Sequence, residues 1–198
     1  MAARNPDAYS RYYRTAWRND FDFQEFCNTA FKRTLYIELM NHDSKGNSGI
    51  HLVNPEILAA ETMIPLHYVK IFLGTPNNLF AFHTSKNVIW LKKFFLYSQK
   101  VPGQPSAFMK SILNDYEATR FCEHFWRGFF EANQEILNKF YLEKFYDDFQ
   151  LLEAGEVLTE TKKQGLIAIQ DLFHIKQSLF KEKPRKEISF TVDLLMTV

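Results

Sequence analysis

Apolar residues recur along this chain at two spacings, and the helical one dominates. Residues 114–152 read NDYEATRFCEHFWRGFFEANQEILNKFYLEKFYDDFQLL, with no proline and a single glycine, Gly128. Phe and Tyr return there every third or fourth residue with charges between them, which predicts a helix with an apolar stripe. The stretch is expected as one long helix or two stacked ones. It starts at Asn114, which has capping-box spacing to Glu117, and Gly155 follows its end. The rest of the protein should pack on it.

Other helices surround it. Asn5-Pro6-Asp7 offers a cap residue, a proline at the first helical position and an acid near the positive dipole end, so a helix should run to about Arg18. Asp22 and Glu25 repeat the capping-box spacing ahead of a stripe of Phe23, Phe26, Cys27, Ala30 and Phe31 that continues to about Met40. Residues 55–63 and 106–113 read as shorter helices. Thr161 and Gln164 open a last one, with Leu166, Ile169, Leu172, Phe173 and Phe180 on one side.

Period two appears in the middle and at the end. Residues 50–53 read as a short strand. Val69, Ile71 and Leu73 alternate with Lys70 and Phe72 before a turn at 74–78. Residues 79–83 and 88–91 flank Thr84-Ser85-Lys86-Asn87 as a hairpin. At 188–196 the alternation is cleanest: Ile188, Phe190, Val192, Leu194 and Met196 on one face, Ser189, Thr191 and Asp193 on the other. That strand should join the hairpin's sheet, one side on helices and one toward solvent. The expected fold is α+β: a helix-rich single domain over residues 1–198, with a small, mainly antiparallel sheet from the middle hairpin plus the C-terminal strand. Residues 1–18 form an N-terminal helix or semi-independent arm.

Composition narrows the function classes. Glycine is only 7 of 198 residues and Phe 20, which argues against a turn-dense sandwich and for a bulky core or an aromatic surface. Basic and acidic residues balance at 24 and 23, so no global field recruits nucleic acid or an anionic membrane. Cys27 and Cys122 are far apart and make no CxxC, which suggests neither a disulfide framework nor structural zinc, and a reduced, cytoplasmic setting. The most apolar run, 88–97, is interrupted by Lys92 and Lys93 and falls short of a membrane span. The N-terminus lacks the apolar run of a secretory signal. Its arginines suggest a mitochondrial leader, but Asp7 and Asn5-Pro6 fit a plain helix better.

Candidate chemistry is sparse, and no cofactor is expected. Glu117, His124 and Glu131 are seven residues apart, and Asp171 and His174 have the spacing of a helix-borne ligand pair, as in carboxylate-bridged metal bundles. At about 100° per residue, however, Phe125, Trp126, Phe129, Phe130, Ile136, Leu137 and Phe140 share one arc. Glu117, His124 and Glu131 fall on the opposite, polar side, where a bundle metal has no use for them. Cys122 lies within the apolar arc, so it reads as a buried thiol rather than a nucleophile. His42-Asp43 is a two-residue echo of metal phosphohydrolases in a Gly/Ser loop. Gly46-Asn47-Ser48-Gly49 is neither a nucleophile elbow nor a phosphate-binding loop.

Two interaction surfaces compete. Arg4, Arg11, Arg14 and Arg18 share a side of the first helix with Tyr9, Tyr12, Tyr13 and Trp17 interleaved, a pattern able to pair phosphates and stack bases. After Asn133 the long stripe changes phase, and Tyr141, Phe145, Phe149 and Leu152 fall on the side that was polar before. Either the helix breaks and both halves face one core, or this second stripe meets another chain. The leading expectation is a non-catalytic protein-interaction protein: an adaptor, chaperone-like factor or accessory subunit whose partner is another protein chain. The alternatives are nucleic-acid binding through Arg11, Arg14 and Arg18, and an enzyme of unrecognised class with a helix-borne metal site.

Overall fold

The computed structural model describes residues 20–42, 46–98 and 105–180. Their order is α1 (Phe21–Phe26), α2 (Ala30–Asn41), β1 (Ile50–Leu52), α3 (Pro55–Thr62), α4 (Leu66–Gly74), β2 (Phe80–His83), β3 (Val88–Leu91), α5 (Phe94–Ser98), α6 (Pro105–Thr119), α7 (Glu123–Lys144), α8 (Tyr146–Glu153) and α9 (Glu160–Phe180). This is a helix-rich α+β fold with a small antiparallel sheet. The N-terminal helix with Arg11, Arg14 and Arg18, and the strand expected at 188–196, lie outside the described residues.

Three strands pair in the order β1-β3-β2. The hairpin expected around Thr84-Ser85-Lys86-Asn87 is present, with His83 opposite Val88 and Phe80 opposite Leu91. Asn87 takes a positive φ of 52° at the tip, a conformation Asn tolerates better than most residues. The segment at 50–53 supplies the third strand, Ile50 facing Trp90 and Leu52 facing Val88.

Both faces of this sheet are covered, and no side is left to solvent as the alternation had suggested. Successive residues of β3 feed different cores. Ile89 and Leu91 join Phe23, Tyr36, Leu39, Leu58, Val69, Phe72 and Phe80 beneath α1–α4. Val88 joins Ile50, Phe95, Met109, Ile112, Trp126, Phe129, Leu166, Ile169 and Leu172 beneath α6, α7 and α9, with Trp90 packed against them. The period-two rule works here in its fullest form: one strand, two buried faces.

Several boundaries differ from expectation for local reasons. The run at 69–73 is part of α4, not a strand. Val69, Phe72 and Leu73 are buried at i, i+3 and i+4, while Ile71 is exposed. The helix expected from Asp22 to Met40 is broken at Cys27–Thr29. Asp20 is the actual cap, accepting from Phe23 N at 3.3 Å. Asn114 does not start a helix, because α6 runs through it from Pro105 to Thr119. The break falls instead at 120–122, where Cys122 N donates to Thr119 O at 2.9 Å. Residues 114–152 therefore comprise the end of α6, all of α7, and α8 short of its last residue.

The second break is at Phe145, with φ −130° and ψ −17°. No proline or glycine causes it. Its ring enters the core, 5.9 Å from Phe140 and pressed against Gly165 of α9, where an added Cβ would come within 2.9 Å of the ring. Burial of that ring fixes the direction of α8.

Candidate functional site

The most elaborate polar arrangement joins the loop before β1 to α6. Ser48 is fully buried, and its backbone N–H and Oγ both donate to Asp115 Oδ2, at 2.9 and 2.6 Å. Ile50 N donates to the same Ser48 Oγ at 3.0 Å. One residue earlier, Asn47 N donates to Ser111 Oγ at 3.3 Å. Gly46 lies so close that a Cβ there would overlap the Asp115 carboxylate. Gly49 follows at φ +78°, where a side chain would meet Phe94 and Leu91 O. A turn of helix further, Thr119 Oγ1 donates to Asp115 O at 2.6 Å and accepts from Trp126 Nε1 at 3.1 Å. A continuous polar chain thus ties loop, α6 and α7 together inside the core.

Burial pushes the Asp115 carboxyl up to about 6, against the two Ser48 hydrogen bonds that favour its charged form. A hydroxyl donating to a carboxylate with an affinity for protons near neutrality has the ingredients of a base-activated nucleophile. Access is missing. Ser48 is fully buried, its Oγ already serves Ile50, and neither of two surface clefts reaches it. Those clefts, of about 160 and 290 Å³, are lined by Phe23, Gln24, Cys27 and Arg33, and by Ser106, Ala107, Lys110, Glu160, Thr161 and Gln164. Both fall below the usual range for a small-molecule pocket. The Ser48–Asp115 knot therefore acts as a staple.

A second arrangement lies on the surface. His83, at the end of β2, sits with its ring 5.4 Å from that of His124 in the first turn of α7. Lys86 at the hairpin tip donates to Phe121 O at 2.6 Å and lies 5.2 Å over the Phe121 ring. Burial, then His83, then Lys86 hold the His124 imidazole below its ordinary proton affinity.

The residues singled out in the sequence scatter over this frame. Glu117 belongs to α6, and His124 and Glu131 to α7, and all three are exposed. Asp171 and His174 are exposed on α9. Among the described residues, no three His, Cys, Asp or Glu side chains are grouped to hold a metal ion. Cys122 and Cys27 are buried thiols, and burial pushes both upward, Cys27 to about 12. His42 is described, its ring 5.4 Å from His51, while Asp43 is not among the described residues.

The second aromatic stripe resolves into placements. Tyr141 and Phe145 are buried within this chain's own core, and Phe149 packs against it. Of the two alternatives that the change of phase left open, the bend at Phe145 turns these three side chains to the core that α7 already faces. Leu152 alone of the four is exposed. Linear reading missed Asp115 and His83 and weighed Ser48 only within its own loop, because partners distant in sequence leave no spacing to recognise. The glycines flanking Ser48 were the only local sign of crowding.

Exposed apolar side chains gather elsewhere. Phe31 of α2 meets Tyr68 of α4 at 5.8 Å between rings, and Ile71 lies one turn beyond Tyr68. They are 38, 46 and 62 % exposed. Met63, the left-handed residue closing α3, is 91 % exposed. Among the described residues no helix is long and apolar enough to cross a membrane. No family model, curated protein or solved structure matches this chain.

Proposed function

We propose that this chain is a non-catalytic protein-interaction module, serving as an adaptor, chaperone-like factor or accessory subunit. The observation that carries this reading is the strip formed by Phe31, Tyr68 and Ile71, two aromatic rings 5.8 Å apart and an aliphatic side chain one helical turn from Tyr68, all exposed. Contiguous exposed apolar surface with aromatic character is enriched where proteins bind one another. His67 lies beside the strip, its ring 4.0 Å from that of Tyr68.

The test is a pull-down from native extract using the full chain and a Tyr68→Ser/Ile71→Ser variant, with light scattering on each. A partner recovered by the first and lost by the second is the expected result. Because both side chains are already solvent-facing, the variant should unfold within about 0.5 kcal/mol of the parent. A monodisperse monomer that recovers no partner overturns the reading, as does equal recovery by both proteins.

A further inference from the structure

We propose that the β2–β3 hairpin tip and the start of α7 form an acid-released latch, opened by protonation of His124 against the ring of His83.

The geometry supplies a contact that protonation of His124 would weaken. From the hairpin side, His83 presents its ring to His124 at 5.4 Å and its edge to Phe125 at 6.4 Å. Ser85 Oγ lies 3.3 Å from His83 Nδ1. Lys86 holds Phe121 O and covers the Phe121 ring. Every one of these contacts crosses between the hairpin and the α6–α7 junction or supports a residue that does.

The charges around the pair are unfavourable to further positive charge. Lys86 is already present on the hairpin side. His124 sits in the first turn of α7, the positive end of the helix dipole. From the end of α6 come Glu117 and Arg120, which pair with one another at 3.5 Å. From α7 come Glu123 and Arg127. Glu117 and Glu123 act on the Tyr116 hydroxyl, together with Arg120, while the groups acting on His124 are His83 and Lys86. Protonation of His124 therefore meets the Lys86 ammonium and the positive end of the helix dipole, with no acid among the side chains that act on it.

The sign follows. A histidine whose proton affinity is lowered in the closed state binds protons more readily once released. The latch is at full strength above the ordinary histidine range, about 6.5, and weakens as pH falls through it. Release would free Lys86 from Phe121 and His83 from His124 and Phe125.

Hydrogen exchange on the full chain tests this, with protection factors corrected for intrinsic rates at pH 7.5 and 5.5. Protection at 84–87 and 123–125 should fall about tenfold for each unit separating the closed and open proton affinities, while 166–172 in α9 holds. A His83→Gln/His124→Gln variant should lose the pH response. As a second measurement, imidazole proton resonances should show His124 titrating below the ordinary value, and moving up in Lys86→Met. Flat wild-type protection between the two pH values overturns the latch. So does an undiminished response in the double glutamine variant, or a His124 titration that ignores Lys86→Met.

Discussion

The two sides of the sheet are built by different means. Beneath α1–α4 the core is held by short helices and tilted aromatic contacts, such as Phe72 with Phe80 at 5.2 Å and Phe23 with Tyr36 at 5.5 Å. Its buried polar residues are Asp20, which caps α1, and His51, opposite Ile89. Beneath α6–α9 the aromatic cluster is as dense, with Phe95, Trp126 and Phe130 set edge-on or tilted around Phe129. It also encloses Ser48, Asp115, Thr119 and Asn133. The first side relies on shape and area, which tolerate substitution of similar volume. The second adds hydrogen bonds with directions, which are costly to leave half-made.

The largest expected effects probe whether the sides unfold together. Phe129→Ala and Phe72→Ala should each destabilise by about 3–5 kcal/mol, since both rings are fully buried. Because β3 belongs to both cores, each variant should still show one transition in denaturant, by fluorescence and by far-ultraviolet dichroism alike. Two separated transitions in either variant would dissolve the picture of a shared sheet.

Next comes the polar staple. Asp115→Ala should cost about 1–3 kcal/mol by stranding the Ser48 donors, measured by equilibrium unfolding. Its pH dependence has a definite sign. The carboxyl rises from 3.8 to about 6 on folding, so the folded state holds this proton more tightly. The contribution of Asp115 is most favourable below about pH 4 and is lost as pH rises through about 6, by about 3 kcal/mol in total. Asp115→Asn, which stays neutral, should remove that slope. An unchanged stability difference between wild type and Asp115→Asn from pH 4 to 7 would refute the buried-carboxyl account.

A smaller effect concerns the contact between sheet and α7. Gly128 has no Cβ because the Trp90 ring occupies the space, 2.6 Å from where that atom would be. Gly128→Val should cost about 1–3 kcal/mol through overpacking. Gly128→Ala should cost less, since alanine favours a helix interior by about 1 kcal/mol over glycine. Thermal unfolding of the two variants gives the ranking. The smallest effect belongs to the other side of the sheet, where Lys93 bridges Asp20 at 2.7 Å and Asp22 at 2.8 Å. Lys93→Met should cost up to about 1 kcal/mol and less in high salt, as expected for a partly exposed ion pair.

How much of this was legible in the sequence depended on distance along the chain. The hairpin was readable because strand, turn and strand are contiguous, and the solvent side of α7 because Glu131, Gln134 and Glu135 recur in phase. The run at 69–73 misled because Ile71 is apolar yet exposed. Nothing local distinguishes a surface isoleucine on a helix from a buried one on a strand. The bend at Phe145 was signalled only by the change of phase after Asn133, and its cause, a ring against Gly165, lies on another helix. Asp115 was passed over for the same reason: its partner Ser48 is 67 residues away.

Trp90 and Gly128 together act as a key. A slip of β3 by one residue would turn Trp90 toward α1–α4 and bring Ile89 or Leu91 under α7. The indole would then meet a core already filled by Tyr36, Phe72 and Phe80, and the notch at Gly128 would stand empty. Strand register is ordinarily guarded by the contrast between an oily face and a wet one. Here both faces are oily, so that guard is absent, and the mismatch in side-chain size takes its place.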